Sequence, residues 1–307
     1  MKRLRKALQP ADKAAKRAVF PALRLYGLIS YFLEIIPSRN LIMWRNALVL
    51  TTTLATSLLA HATPLQPKQY GDFDTYVLAL SWQTGFCQSM HERNRKEPGE
   101  CKLQREQADK RAFLTAHGLW PGLPKSVSSR GVDNKRWMRY GCATRPVPNR
   151  AEAHGSQKCS APALPLSADI AARLSGVMPG AGGQSCLERY EFAKHGACFG
   201  FDPNAYFGAM VRLNTEFKQS AFGEFLAQHY GKTVTRKAFN QALDKSWGSD
   251  AAQAVKLTCN GNPAYLTEMQ ITLAAAKIND PLSGASFARQ KNPGNCAKQF
   301  RLDSVGY

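Results

Sequence analysis

Acidic residues are scarce in this chain: 22 Asp and Glu stand against 41 Lys and Arg, a formal net charge of +19. A chain of that sign favours polyanions as partners, although charge alone does not separate specific from nonspecific binding. Other absences narrow the chemistry. There is no CxxC pair, no Cys/His spacing of a zinc site and no HExxH, so the common metal-binding helices and knuckles are missing. The glycine cluster from Gly180 to Gly183 lacks GxGxxG spacing and a preceding strand, which removes a phosphate-cradling loop. No internal repeat and no low-complexity linker divides the chain. The apolar stretch from Ala18 to Ile36 is interrupted by Pro21, Arg24 and Glu34, which argues against a membrane span.

Cysteine is present in a telling arrangement. All eight, at Cys87, Cys101, Cys142, Cys159, Cys186, Cys198, Cys259 and Cys296, follow residue 86, and their number is even. Four disulfides formed in an oxidising compartment are the simplest account. Spacing leaves the connectivity open, with Cys259 and Cys296 a reasonable local pair. A leader precedes them: Arg45 supplies a positive start, Ala47 to Leu59 a mostly apolar stretch, and Ala60-His61-Ala62 an A-x-A site, so residues 43–62 read as a signal peptide cleaved after Ala62. More than forty residues before it do not fit a leader. Met43 stands directly in front of Trp44 and Arg45, so residues 1–42 read as an upstream start-site extension. Residues 63–307 then form one domain of 245 residues. Ten of the basic and two of the acidic residues fall in 1–62, which leaves the remainder at about +11. The expected location is the periplasm, with no membrane association after cleavage.

Periodicity predicts a mixed fold. Tyr76 to Trp82 is apolar on both faces, as in a buried strand. Ile170, Leu174 and Val177 mark a helix stopped by Pro179 and Gly180. Asp202 as N-cap and Pro203 at the first position open a helix whose stripe is Tyr206, Met210, Leu213 and Phe217. Further helices are expected from Phe222 to Tyr230, closed by Gly231, and from Thr235 to Trp247, closed by Gly248. Tyr265 to Leu273 alternates as a long strand, half polar on one face. Helices and strands come in blocks, which points to the α+β class.

Two histidine-bearing stretches carry the chemistry. If Tyr190 to Cys198 (YEFAKHGAC) is helical, Glu191, Lys194 and His195 share a face at i, i+3 and i+4, joining a carboxylate, an ammonium and an imidazole. That set suits proton transfer at an anionic centre. Cys198, one turn on, offers a means of pinning the helix to a neighbour. In Phe113 to Pro121 (FLTAHGLWP), His117 precedes a turn-prone run and is read as ending a strand, with the Trp120 indole beside it. Trp120 either packs against the site or a base, or braces the His117 turn from the core. His91, His154 and His229 have no motif around them and read as surface or structural. A metal-nuclease reading, with His117, His195 and Glu191 as ligands, is opposed by the ammonium of Lys194 beside any divalent cation.

These stretches resemble the two active-site motifs of the ribonuclease T2 family, HGLWP and His-Glu-Trp-x-Lys-His-Gly-Thr-Cys, and the resemblance extends over nearly everything after residue 63. It implies a central antiparallel sheet with helices around it, and a bond from Cys198 to a cysteine between the two motifs. It also implies an endoribonuclease that needs no cofactor or metal and acts as a monomer on single-stranded RNA by transfer to the 2′-hydroxyl. In that scheme His195 is the base, His117 the acid, Lys194 stabilises the phosphorane, and Glu191 orients or polarises the cluster. A silent storage or RNA-binding protein on the same fold would be expected to have lost one histidine; both are present. The chain departs from the pattern at Tyr190, where the family has a histidine that contacts phosphate, and at Phe192, where it has tryptophan. Tyr190 can donate a hydrogen bond but cannot carry imidazolium charge. Ser81, Trp82 and Gln83 replace the Gln-Trp-Pro stretch found near a base site, so little base preference is expected.

Overall fold

The computed structural model describes residues 63–106, 113–147, 158–183 and 185–303. The expected leader and start-site extension, and His154, lie outside these residues. In chain order the elements are β1 (Thr75–Trp82), α1 (Gln83–Glu92), α2 (Gly99–Glu106), β2 (Leu114–Pro121), α3 (Lys125–Ser128), α4 (Asn134–Tyr140), α5 (Ala168–Val177), α6 (Leu187–His195), α7 (Pro203–Gln219), α8 (Ala221–Gln228), β3 (Lys232–Thr235), α9 (Arg236–Trp247), β4 (Val255–Asn260), β5 (Tyr265–Ala274) and β6 (Gln299–Leu302), with short 3-10 turns between them.

The run predicted as a buried strand is β1, and it lies between β2 and β5 in a six-stranded sheet of order β2-β1-β5-β6-β3, with β4 also paired to β5. The fold is α+β, as expected. Its sheet is antiparallel throughout except where β5 meets β6, a parallel contact at Tyr265 and Arg301. Helix starts follow the capping chemistry read from sequence. The Asp202 carboxylate accepts from the Ala205 amide at 2.9 Å and Pro203 occupies the first turn of α7, while Thr235 accepts from the Ala238 amide at 3.0 Å to open α9. α8 stops at Gln228, two residues short of the expected Tyr230, because His229 has already left helical geometry and bonds the Phe225 carbonyl through Nδ1 at 2.8 Å.

One sheet face holds the core. Tyr76, Leu78, Leu80 and Trp82 of β1 bury there with Leu119 of β2 and Met269, Ile271 and Leu273 of β5. The stripe Tyr206, Met210, Leu213 and Phe217 of α7 is buried as predicted, and that helix packs against β2, α5 and α8. Each such side chain contributes about 1.5 to 3 kcal/mol by leaving water.

All eight cysteines are paired, as Cys87–Cys101, Cys142–Cys198, Cys159–Cys186 and Cys259–Cys296. The expected local pair Cys259–Cys296 is present, and Cys198 joins Cys142, between the two motifs. Two of these bridges grip one helix. Cys186 is the N-cap of α6 and Cys198 follows its end, so the helix that carries Glu191 and His195 is bonded to separate segments at both termini. Gly141, at φ 51°, turns the chain beside Cys142, and a Cβ there would collide with the Lys194 carbonyl. Replacing Cys142 and Cys198 together by alanine is expected to lower unfolding free energy by about 2 to 4 kcal/mol, measured by urea titration under oxidising conditions. An unchanged midpoint would show that the bridge does not constrain the fold.

Candidate active site

His117 does not end a strand; it sits in the middle of β2. The register explains how it projects there. Ala79 pairs with Gly118 and Leu80 pairs with Ala116, so His117 is the extra residue of a β-bulge. Without the bulge, alternation would put His117 and Trp120 on opposite faces. With it, Thr115, His117 and Trp120 all reach the face opposite the core, where Ser81 of β1 and Glu268 and Gln270 of β5 also project. The turn-prone run after His117 was the source of the misreading: its glycine serves close approach. A Cβ on Gly118 would fall inside the contact radii of Trp120 Nε1 and Glu191 Oε2.

β2 is fastened from outside. The Tyr206 hydroxyl donates to the Leu119 carbonyl at 2.6 Å, and the Trp137 indole N–H donates to the Pro121 carbonyl at 3.1 Å. α6 then crosses the site face and delivers Glu191 and His195, which are i and i+4 on one side. Trp120 Nε1 donates to Glu191 Oε2 at 2.7 Å. Glu191 Oε1 lies 3.6 Å from His117 Nε2, and Glu191 Oε2 lies 3.9 Å from His195 Nε2. One carboxylate therefore stands between both imidazoles. Trp120 stacks on His195, with ring centroids 5.3 Å apart and planes at 29°, and meets His117 edge-on at 5.4 Å. The indole is 8 % exposed and its N–H is engaged, so Trp120 braces the two histidines and offers no open stacking face.

Sequence reasoning missed Glu268. Its Oε2 is 2.7 Å from His117 Nδ1, its Oε1 accepts from Gln270 Nε2 at 2.7 Å, and Lys256 Nζ donates to Gln270 Oε1 at 3.2 Å. The signal was the polar alternation of Glu268, Gln270 and Thr272 in β5, which marks the site face of the sheet. Lys194 and Tyr190 are placed otherwise than Glu191 and His195: both are partly exposed, and the Lys194 ammonium lies 5.5 Å from the Tyr190 ring centre. Lys158, also missed, lies 5.5 Å from the other groups' shared ring at Tyr190, and no local pattern announces it. His229 is bonded to its own helix and His91 is exposed on α1, both away from this cluster.

The two imidazoles are driven apart electrically. Burial opposes charge on His117, but the Glu268 hydrogen bond and the charges of Glu191 and Glu268 outweigh it, and its pKa rises above the ordinary histidine value. Burial holds His195 well below that value, and the charges of Lys194 and His117 push the same way. Glu268 shows the complement of His117: burial raises it, yet the bond to His117 and that ring's charge bring it below the usual carboxylate range. Burial raises Glu191, against the opposing pull of His117, Trp120, Lys194 and Lys158. His117 thus keeps its proton to higher pH than His195 does. The His117 side chain is 34 % exposed, His195 only 3 %. His117 opens into a cavity of about 420 Å³ that Ser81, Gln83, Thr115, Lys158 and Glu268 also line. Among the described residues, no group of three or more His, Cys, Asp or Glu side chains is arranged to hold a metal ion.

Comparison with known proteins gives a consistent picture. Residues 73–280 match the model of the Ribonuclease T2 family. Ribonuclease I of Escherichia coli (strain K12) is 65 % identical over 264 residues, covering 86 % of this chain and 98 % of that one. Among solved structures, a mutant of RNase MC1 in complex with 5′-UMP is 18 % identical, covering 75 % of this chain and 98 % of its own, at a TM-score of 0.46. The self-incompatibility associated SF11-RNase of Nicotiana alata is likewise 18 % identical, covering 76 % and 100 %, at 0.46.

Imidazole NMR titration should resolve the two rings, His117 above and His195 well below about 6.5. Glu268→Gln removes one carboxylate charge from His117 and is expected to bring its midpoint down while leaving His195 nearly in place. If the two rings titrate together, the opposed environments described here are wrong. Gly118→Ala is expected to dislodge Trp120 and Glu191, read as a changed indole N–H resonance.

Proposed function

The chain belongs to the ribonuclease T2 family and is an endoribonuclease, and on that premise we propose that it cleaves single-stranded RNA by transfer to the 2′-hydroxyl, without a metal ion, leaving 2′,3′-cyclic phosphate ends. The observation that carries this reading is the pair of imidazoles set around one carboxylate, with His117 shifted to hold its proton and His195 to shed it. RNA brings its own nucleophile, so the enzyme needs to remove one proton, supply another and stabilise added negative charge. Neutral His195 takes the 2′-hydroxyl proton. The 2′-oxygen bonds to phosphorus, and the bond to the 5′-oxygen breaks as His117 gives that oxygen a proton from Nε2, its Nδ1–H being held by Glu268. Lys194 supports the pentacovalent phosphorane, and Glu191 fixes both rings. Hydrolysis of the cyclic phosphate reverses the two roles. Tyr190 contributes a hydrogen-bond donor at the substrate side.

Little base preference is part of the proposal. Trp82 is committed to the core, with its indole N–H on the Asp303 carbonyl at 2.8 Å, and Gln83 Oε1 accepts from the Thr115 hydroxyl at 2.6 Å. The Trp82 indole N–H and the Gln83 carbonyl are thus both engaged within the protein. The four disulfides support export to the periplasm, which the proposal assigns to a signal peptide over residues 43–62; the proposed working form is a monomer. No helix among the described residues is long and apolar enough to cross a membrane.

The reading is tested with a defined oligoribonucleotide and its all-deoxy counterpart in EDTA, with mass spectrometry of the products. Cyclic phosphate termini from the RNA and intact DNA are expected; cleavage of both, or loss of activity in EDTA, would discard the two-histidine mechanism. His117→Ala and His195→Ala should each lower kcat by about 100- to 10,000-fold. The pH dependence of kcat/KM follows from the directions above. Activity falls on the acid side only well below about 6.5, where His195 gains its proton, and on the alkaline side above about 6.5, where His117 loses its own.

A further inference from the structure

Lys158 belongs to neither histidine stretch, yet it is brought to the site and fixed there. Its ammonium lies 5.5 Å from the Tyr190 ring centre, the same distance as the ammonium of Lys194, so two cations share one phenol. The 3-10 turn that carries it, Lys158–Ser160, is tied to α6. Cys159 is bonded to Cys186 at the head of that helix, and Arg189 Nη1 donates to the carbonyls of Cys159 at 3.1 Å and Ala161 at 2.8 Å. A lysine side chain carries about 2 kcal/mol of rotamer entropy, and nothing in the core requires one here. Lys158 is half-buried instead at the wall of the cavity into which His117 opens.

Its charge acts in two directions in the resting cluster, favouring the carboxylate form of Glu191 and opposing the proton on His117. Three charged groups act on His117: Glu268 from β5, Glu191 from α6, and Lys158, which alone opposes the proton there. In the resting cluster that cation works against the acid. A phosphodiester at the cavity mouth would give the same cation a partner whose negative charge grows as the phosphorane forms. Resting on the catalytic reading above, we propose that Lys158 is a substrate-contacting residue: its ammonium, steadied by the Tyr190 ring, binds the phosphate being cleaved and, with Lys194, supplies the positive charge that a phenol at position 190 cannot.

Lys158→Met and Lys158→Arg are compared with the wild-type chain on one oligoribonucleotide, over a range of salt and pH, with thermal midpoints measured alongside. Lys158→Met is expected to lower kcat/KM by about 10-fold or more at low salt, the worth of one charged hydrogen bond. The slope of log kcat/KM against log salt should shrink by about 0.7, one phosphate contact on a single strand. The alkaline limb should move to higher pH, since His117 loses a repelling neighbour. Lys158→Arg, which keeps the charge, should retain most of the activity. A packing role would move neither the salt slope nor the pH limb, so a Lys158→Met protein with both unchanged overturns the assignment whatever its activity. Wild-type and His117→Ala chains in the same assay separate the two readings. If wild type yields no cyclic phosphate, the catalytic reading falls and this one with it; if wild type does and Lys158→Met matches it, only the Lys158 assignment falls.

Discussion

Removing a carboxylate from water costs several kcal/mol unless its oxygens find partners, and the carboxylate of Glu191, 1 % exposed, accepts from the Trp120 indole N–H and has the His117 ring 3.6 Å away, with the His195 ring at 3.9 Å. Most of what is unusual nearby follows from that burial. Residue 118 must be glycine because a side chain would occupy the space of that carboxylate and of the indole. β2 must carry a bulge because His117 and Trp120 both have to meet α6. α6 in turn is bonded at both ends, which holds a buried charge in register with rings on a separate element.

The same arrangement divides labour between two chemically identical side chains. His117 has a carboxylate on each ring nitrogen and partial access to solvent. His195 has an indole on its face, a lysine as its sequence neighbour, and an Nδ1 with no hydrogen-bond partner among the described residues. Environment, not residue type, decides which one holds its proton to the higher pH. Glu268 has a share in this comparable to that of the residues inside the two motifs.

Much of the scaffold could be read from the chain because its signals are local. Asp202 with Pro203, Thr235 and Gly248 mark helix ends by chemistry that acts within one turn, and the apolar spacing of α7 needs only its own sequence. The i, i+4 relation of Glu191 and His195 is of the same kind. What escaped was set by contacts distant in sequence. His117 reads as a strand end because Gly-Leu-Trp-Pro is turn-like, and only a partner strand one residue out of step reveals a bulge. Glu268 sits in a plain alternating strand whose polar face looks no different from a solvated one. Lys158 owes its place to a disulfide and to Arg189, neither of which leaves a mark on the residues around it.

The carbonyl anchors on β2 have a bearing beyond catalysis. β2 is the terminal strand of the sheet, and a terminal strand ordinarily exposes backbone groups that a strand from another molecule can join. Here the outward carbonyl of Leu119 is taken by the Tyr206 hydroxyl, that of Pro121 by the Trp137 indole, and that of Leu114 by Asn214 Nδ2 at 3.4 Å. Helix α7 covers the same border. Three acceptors of the strand that carries His117 are thereby withdrawn from intermolecular ladder formation, so the fold can place that segment at the margin of the sheet while blunting that margin as a template for aggregation.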